Sequence, residues 1–403
     1  MIAEAKSFSK KTGSIKGLLI VIIVGFLQYL LLSGMTNSSM MLPSYGVLEE
    51  GLIGKNITSE IVWMIKDFSE GQFFGGLFSG IGVVLGGIIA WRLDVKKSKY
   101  RGSDIVFGLN VFPWILASQI ITIVFSVYAL KYLNFIDGNT YHWVPTFLLL
   151  VGVPQAVLCV FGPSVKNLIV GCLLGAFTTV PIANYIGYSI MDKIGMPVTI
   201  ANYIALALSI TFALQACKML GFVKKEPFPI IKENVGDLDE DEKYKQLKSP
   251  KFIISKTLTA FTDCLFYGNE WATIFLIIGA IIDWMINFEH GLLGAKVFPA
   301  ILFAQLMSGA IGVYLYGYKY IEKGWYPTYV PVVSICPFSI LVFGPTLPVI
   351  IFSSIIGGII GAPFAELLGK SFPEHIHGVV PNVLAMAVTT ISVIAIMKGL
   401  PWF

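Results

Sequence analysis

The chain has 403 residues, of which 56% are hydrophobic and only 13% are charged, and its mean hydropathy is +0.78. A soluble domain carries about 25% charged residues, so this composition excludes an ordinary soluble protein and predicts a polytopic membrane protein. The net charge of +4 decides little, because the informative quantity in a membrane protein is which loops hold the lysines and arginines.

Eleven apolar segments are long enough to cross a hydrocarbon core about 30 Å thick, which takes about 20 helical residues. We number them as spans 1 to 11, and the expected fold is all-α with about 11 transmembrane helices. The spans are residues 16–35, 71–92, 105–130, 143–161, 167–190, 198–220, 270–288, 295–318, 326–343, 346–368 and 378–398.

Span 1 follows a lysine-rich tail, as a signal peptide would, but no clear cleavage site follows it, so residues 1–36 are expected to form a tail and a retained extra helix. Residues 37–70 are expected to form an external connection. Residues 221–267 are expected to form a polar cytoplasmic linker and then an interfacial helix.

The rest of the chain contains one pattern twice. The offset between matched residues falls from 193 to 180, as it would if loops shortened between equivalent helices. The sequence therefore predicts repeat 1 (71–220) and repeat 2 (268–403), each with five spans. The matches are 86–91 (GGIIAW) with 279–284 (GAIIDW), 111–119 (VFPWILASQ) with 297–305 (VFPAILFAQ), 143–146 with 325–328, 161–164 with 343–346, Pro181 with Pro363, and Asn202 with Asn382.

The basic connections predict how the spans are oriented. The N-terminal tail, the connection 92–101, the linker 224–256 and the connection containing Lys319 and Lys323 all fall on the inside if the spans alternate. We therefore expect a multi-pass protein of the cytoplasmic (inner) membrane, with its N-terminus inside and its C-terminus outside. Five is an odd number, so repeat 2 is expected to be inverted relative to repeat 1.

Helix breakers inside spans point to candidate binding residues, because irregular backbone at membrane depth must be buried in protein or line a cavity. Pro181 and Pro363 interrupt equivalent spans, a pattern typical of transporter sites, although a kink that only shapes packing is the alternative. The candidate substrate-binding residues are Ser164, Thr178, Thr179, Pro181, Asn184, Asn202, Thr346, Pro363, Asn382, Thr389 and Thr390.

Spans 4/5 and 9/10 are either full spans or re-entrant hairpins. Their length favours full spans, whereas their prolines favour broken helices. The prolines of spans 4 and 9 are Pro145, Pro154, Pro327, Pro331 and Pro337.

Three carboxylates are candidates for ion coupling, because a charge within a membrane is costly and usually functional. They are Glu270, Asp283 and Glu366, and each has the alternative of lying at the membrane interface. Asp283 and Glu366 replace Ala90 and Asn184 of repeat 1, an asymmetry expected if one half carries the coupling ion. Gln119 and Gln305, retained in both repeats, are expected to hold helices together.

An extra helix, two five-span repeats and a hydrophilic linker resemble the sodium-coupled glutamate permeases and the 2-hydroxycarboxylate transporters. The resemblance is architectural: residues 357–361 (GGIIG) come nearest to the hairpin motif of the citrate group but differ in spacing, so no residue role is carried over. The resemblance implies that spans 4–6 and 9–11 move in an elevator-like or rocking motion. Spans 2, 3, 7 and 8 would form the scaffold, with a homodimer as one arrangement.

The predicted function is secondary active transport of a small polar metabolite, driven by Na⁺ or H⁺. An anionic metabolite is expected, because helices begin directly after the Phe-Gly-Pro junctions and a helix N-terminus attracts negative charge. The alternatives are a phosphotransferase-type sugar permease subunit working with soluble phosphocarriers, and a non-transporting channel or scaffold.

No enzyme motif, metal site or cofactor is expected beyond the coupling ion, and no catalytic residue is predicted. The expected partners are a small-molecule substrate and the lipid bilayer, with no nucleic acid.

Overall fold

The computed structural model describes residues 11–35, 57–136, 143–194, 196–222, 239–287 and 292–403. These residues form helices and turns without a strand, which confirms the all-α fold class. Much of the predicted external connection, part of the linker and several loop residues lie outside the described residues.

Fourteen α-helices are found in the described part of the chain. Those in and before repeat 1 are α1 (Ile15–Met35), α2 (Ile57–Glu70), α3 (Leu77–Val95), α4 (Phe112–Val124), α5 (Val153–Phe161), α6 (Val165–Ile186) and α7 (Ile200–Met219). The others are α8 (Glu240–Leu247), α9 (Pro250–Thr259), α10 (Glu270–Ile286), α11 (Phe298–Lys323), α12 (Ile335–Phe343), α13 (Leu347–Gly369) and α14 (Val379–Lys398).

The structure corrects the expected eleven transmembrane helices at spans 4 and 9. Their helical parts, α5 and α12, have nine residues each, which at 1.5 Å per residue cover about half of a hydrocarbon core. Irregular backbone precedes them, because Gly152 (φ −135°, ψ −119°) and Ser334 (φ −144°, ψ −84°) leave the helical region. Eight other helical segments are long and apolar enough to cross a membrane, if α4 is counted together with the π-helical turn that extends it to Ala129. Helix α10, with 17 residues, is slightly shorter than these.

The two repeats share backbone geometry at equivalent positions. Val111 (φ −110°, ψ 11°) precedes α4 as Val297 (φ −117°, ψ 6°) precedes α11. Gly162 (φ 82°, ψ 166°) ends α5 as Gly344 (φ 89°, ψ 171°) ends α12. A residue with a side chain rarely adopts such a φ, so both Phe-Gly-Pro junctions need their glycine.

The repeats contact each other through two pairs of equivalent helices. The first helix of each repeat packs against its counterpart, α3 against α10, and the last helices pack likewise, α7 against α14. Contacts of equivalent with equivalent elements are what a twofold relation produces. The observed contacts are therefore those expected of two repeats with a pseudo-twofold relation.

Glycine allows the close approach of α3 and α10. A methyl group built on Gly279 would overlap the carbonyl oxygen of Phe78, and one built on its equivalent, Gly86, would overlap the carbonyl oxygen of Trp271. Without glycine at these positions the two backbones would have to separate, as at small-residue contacts between membrane helices in general.

The outer surface of the long helices is apolar. Large side chains such as Leu27 on α1, Phe177 on α6 and Ile351 on α13 are exposed. Exposed aliphatic and aromatic side chains along helices of membrane-spanning length belong against lipid. The chain is therefore a multi-pass membrane protein. Helix α1 lies outside both repeats, and it packs against α11 and α9.

Candidate functional site

A cavity of about 130 Å³ lies between the two repeats. Equivalent positions of the two last helices form much of its wall. Thr199, Tyr203 and Leu206, at and after the start of α7, match Val379, Val383 and Met386 of α14, each pair 180 positions apart. Equivalent residues therefore line the cavity from both halves of the chain. We call it the central cavity.

The two predicted asparagines differ in their relation to the central cavity. Asn202 lines it directly. Asn382 is buried and donates from Nδ2 to the hydroxyl of Tyr329 at 3.2 Å, and Tyr329 is part of the wall. Tyr203 donates its hydroxyl to the Val333 carbonyl at 2.9 Å. The hydrogen bond from Tyr203 to Val333 thus joins the two repeats in the cavity wall.

A buried pair of carboxyl groups on α2 lies beside the cavity. Glu70 lines the cavity and is 8% exposed, while Asp67, one helical turn earlier, is 1% exposed. Asp67 Oδ2 accepts from the Thr146 hydroxyl at 2.6 Å, and that hydroxyl accepts from Trp63 Nε1 at 2.7 Å. The two carboxyl groups are close enough to interact directly, and a hydrogen bond between them forms when one of them carries a proton.

Glu70 has a second neighbour in Trp143, with which it forms a side-chain hydrogen bond. Its other oxygen, Oε1, is buried and has no hydrogen-bond partner among the described residues. An unpaired buried carboxylate oxygen is costly, so its position at a cavity wall indicates a place where a ligand or a proton is accommodated.

The same carboxyl–tryptophan contact recurs in the second half of the chain. Asp263 is equivalent to Glu70, and it accepts from Nε1 of Trp325, the equivalent of Trp143, at 3.3 Å. The surrounding segments, 68–75 (FSEGQFFG) and 261–268 (FTDCLFYG), keep the 193-residue offset. Their backbones also agree: φ is 67° at Phe73 and 66° at Phe266.

The similarity of the repeats therefore extends beyond the predicted boundaries. Sequence reasoning placed Glu70 in a connection and Asp263 in an interfacial helix, and it missed both as candidates. The offset that aligned 86–91 with 279–284 would have paired them if it had been continued toward the N-terminus of each repeat.

The two halves differ in what surrounds these acids. Ala260 stands in repeat 2 where Asp67 stands in repeat 1. Asp263 lines a separate recess of about 40 Å³ with Lys256, while its neighbour Cys264 lines the central cavity. Among the residues that the structure describes, only the first half of the chain therefore brings a carboxyl pair to the central cavity.

Two glutamines hold the broken spans in place. Gln119 Nε2 donates to the carbonyls of Leu150 at 2.8 Å and Leu265 at 3.3 Å. Its equivalent, Gln305, donates to the carbonyls of Val332 at 2.9 Å and of Gln72 at 3.0 Å. The four acceptors are themselves equivalent in pairs, so each glutamine ties its own broken span to the other half. This agrees with the predicted interhelical role.

The three predicted ion-coupling carboxylates lie away from the central cavity. Asp283 accepts from the backbone N–H groups of Phe78 at 2.9 Å and Ser79 at 2.8 Å, and so satisfies the start of α3. Glu270 accepts from the backbone N–H of Ser103 at 2.6 Å and from the Ser255 hydroxyl.

Glu366, the third, is partly exposed and pairs with Lys323 at 2.6 Å and with Lys319 at 3.4 Å. All three carboxylates have partners that stabilise the charge. Their coupling role stays a prediction.

Three of the predicted substrate-binding residues form hydrogen bonds within their own helices. The Ser164 hydroxyl accepts from the Asn167 N–H at 3.1 Å, and Thr178 and Thr389 donate to carbonyls one turn earlier. Three others are buried and each has one polar atom without a partner among the described residues: Thr179, Asn184 and Thr390. Pro181 and Thr346 are exposed and Pro363 is half-buried. Of the predicted set, Asn202 alone belongs to the cavity lining in the described part of the chain.

The fold and the central cavity define a multi-pass α-helical membrane protein with two related halves. Comparison with protein-family models, with curated proteins and with solved structures finds no match for the chain.

Proposed function

We propose that this protein is a secondary active transporter that moves a small solute through the central cavity. The observation that carries the proposal is the cavity wall, which equivalent residues of α7 and α14 form from both repeats. Sites at the interface of repeats are characteristic of secondary transporters, because inverted repeats can exchange conformations and open the site to either side in turn.

The moving part that we propose comprises α5 to α7 and α12 to α14. Helices α5, α6 and α7 pack on one another, α12, α13 and α14 do the same, and α7 joins the two groups by packing against α14. The half-length helices α5 and α12 end in glycine junctions, as expected for broken helices beside a transport site. We propose a rocking or elevator-like motion of this group.

The cavity chemistry favours an uncharged or cationic solute over the anionic one expected from the sequence. None of its lining residues is lysine, arginine or histidine within the described part of the chain, and its one carboxyl group is Glu70. An anion there would lose its hydration without gaining an opposite charge. The helix starts at Ser164 and Thr346, on which the anionic prediction was based, lie outside the lining.

Uptake into proteoliposomes tests the proposal. Purified protein is tested with labelled organic cations, sugars, amino acids and carboxylates under imposed H⁺ or Na⁺ gradients. We expect gradient-driven accumulation of a neutral or cationic solute. If no solute accumulates under either gradient, the transporter proposal fails. Dependence on a soluble phosphocarrier would instead favour the phosphotransferase alternative, and gradient-independent flux a channel.

The substitution Leu206→Trp is expected to reduce that uptake about tenfold, because the larger side chain would occupy space that the solute needs, and a tenfold loss of affinity corresponds to about 1.4 kcal/mol. Leu206 lines the central cavity. The matched control is Leu208→Trp, on the same helix at a position that is 51% exposed. Equal loss from both variants would mean that the tryptophan disturbs folding and not the cavity.

A further inference from the structure

The chemical character of the central cavity is that of a site for an organic cation. Aromatic side chains form a large part of the wall, and one carboxyl group is set among them. The aromatic members are Phe73, Trp143, Phe147, Tyr203, Tyr329 and Phe338. Aromatic faces attract ammonium groups, and the attraction strengthens when the site excludes water.

Glu70 is the group in the cavity that can change its charge near neutral pH. The other titratable groups that line the cavity are Cys264, Tyr203 and Tyr329, and Lys66 acts on Glu70 from its own helix. The neighbours that hydrogen-bond the carboxyl pair, Trp143 and Thr146, are neutral.

Ionisation of both carboxyl groups would place two negative charges one turn apart in a buried position, which is strongly unfavourable. Burial raises the pKa of Glu70 to about 7, and burial together with the neighbouring Glu70 raises the pKa of Asp67 well above its ordinary value. The pair therefore holds at least one proton, and Glu70 is poised to exchange a second.

We propose that Glu70 binds either a proton or the ammonium group of an organic cation, and that the transporter exchanges one for the other. This proposal rests on the proposed transport function and names its solute and coupling ion. When the cation binds, the protonated carboxyl group of Glu70 releases one proton to solution, and the resulting carboxylate pairs with the cation. Charge is conserved at the site, because one positive charge arrives as one leaves.

Asp67 is a positioning residue in this scheme. It hydrogen-bonds Glu70 on one side and accepts from Thr146 on the other, so it fixes the carboxyl group of Glu70 with Oε1 free to meet a ligand. In repeat 2, Asp263 is the equivalent of Glu70, and Ala260 stands where Asp67 stands in repeat 1. Asp263 lies with Lys256 in the separate recess. The exchange is therefore assigned to the first half of the chain.

Proton release on cation binding tests this proposal without vesicles. Tetramethylammonium is added to detergent-purified protein in weakly buffered solution near neutral pH, and the released protons are measured with a pH indicator. We expect about one proton per protein molecule at most, since one carboxyl group exchanges. The variant Glu70→Gln should release none, and the control Glu60→Gln, on the same helix outside the cavity lining, should behave like the unmodified protein.

A conservative variant and an infrared measurement separate loss of the group from loss of the fold. Glu70→Asp should restore proton release with a shifted pH profile. The infrared band of a protonated carboxyl group that titrates near neutral pH should disappear in Glu70→Gln alone. Proton release that persists in Glu70→Gln, or a Glu70 titration that tetramethylammonium does not displace, would overturn the exchange. Failure of the transport function would appear separately, as absence of accumulation in proteoliposomes while proton release remains.

Discussion

Replacement of Gly279 by leucine is expected to remove most of the folded protein. Gly279 lies on α10 where a Cβ atom would overlap the backbone of Phe78 on α3, and backbone atoms cannot rotate away as a flexible side chain can. Four added side-chain carbons would force apart two helices through which the repeats contact each other. Overpacking of a well-packed contact costs about 1–3 kcal/mol, and more where backbone must shift.

The yield of monodisperse protein in size-exclusion chromatography and its thermal midpoint measure this effect. Gly34→Leu is the matched control, because a Cβ atom at Gly34 meets nothing within 4 Å. Gly86→Leu, at the equivalent position on α3, should fail in the same way as Gly279→Leu. Normal yield and thermal midpoint for Gly279→Leu would show that the α3–α10 contact does not hold the repeats together.

The substitution Glu70→Gln is expected to stabilise the protein at alkaline pH and to change little at acidic pH. Burial raises the pKa of Glu70 from 4.5 to about 7 in the folded state. Folding therefore favours the protonated form of Glu70. The contribution of this proton to the free energy of unfolding is fully present below the pKa of the unfolded state and is lost as pH rises through about 7. A pKa shift of this size corresponds to about 3 kcal/mol of the free energy of unfolding, lost when Glu70 ionises. The glutamine variant keeps this stability at alkaline pH, because its side chain carries no charge.

Thermal midpoints in detergent at about pH 5 and about pH 8 test this pH dependence. The midpoint of the unmodified protein should be lower at the alkaline pH than at the acidic pH. The corresponding decrease should be smaller for Glu70→Gln. Glu60→Gln should follow the unmodified protein. A pH dependence that is identical in Glu70→Gln and the unmodified protein would mean that Glu70 does not titrate in the folded state.

The spans and the repeat could be predicted because their causes are local. Twenty apolar residues dictate a membrane helix, and matched motifs such as 111–119 and 297–305 align wherever the chain folds. The breaks in spans 4 and 9 were harder to predict, because hydropathy favours continuous helices there. The prolines of these spans and the non-helical backbone at Gly152 and Ser334 prevent a continuous helix.

The candidate site could be predicted only in part. Asn202, which lines the cavity, was found because both repeats retain an asparagine at this position. Asp283 drew attention as a carboxylate in an apolar span, yet it satisfies backbone N–H groups at the start of α3, a contact between residues more than 200 positions apart. Glu70 was missed because α2 has too many polar residues to be a span, and only the fold brings it to the cavity.

The accessibility of Cys264 tests most directly whether the central cavity opens to both sides of the membrane. Cys264 lines the cavity and is partly exposed, whereas the other four cysteines of the chain are buried and can be replaced by alanine. A membrane-impermeant thiol reagent is applied to sealed right-side-out and inside-out vesicles that contain this single-cysteine variant. We expect labelling from either side while the vesicles stay impermeable to the reagent. Labelling from one side only, or from neither, would contradict alternating access through the central cavity.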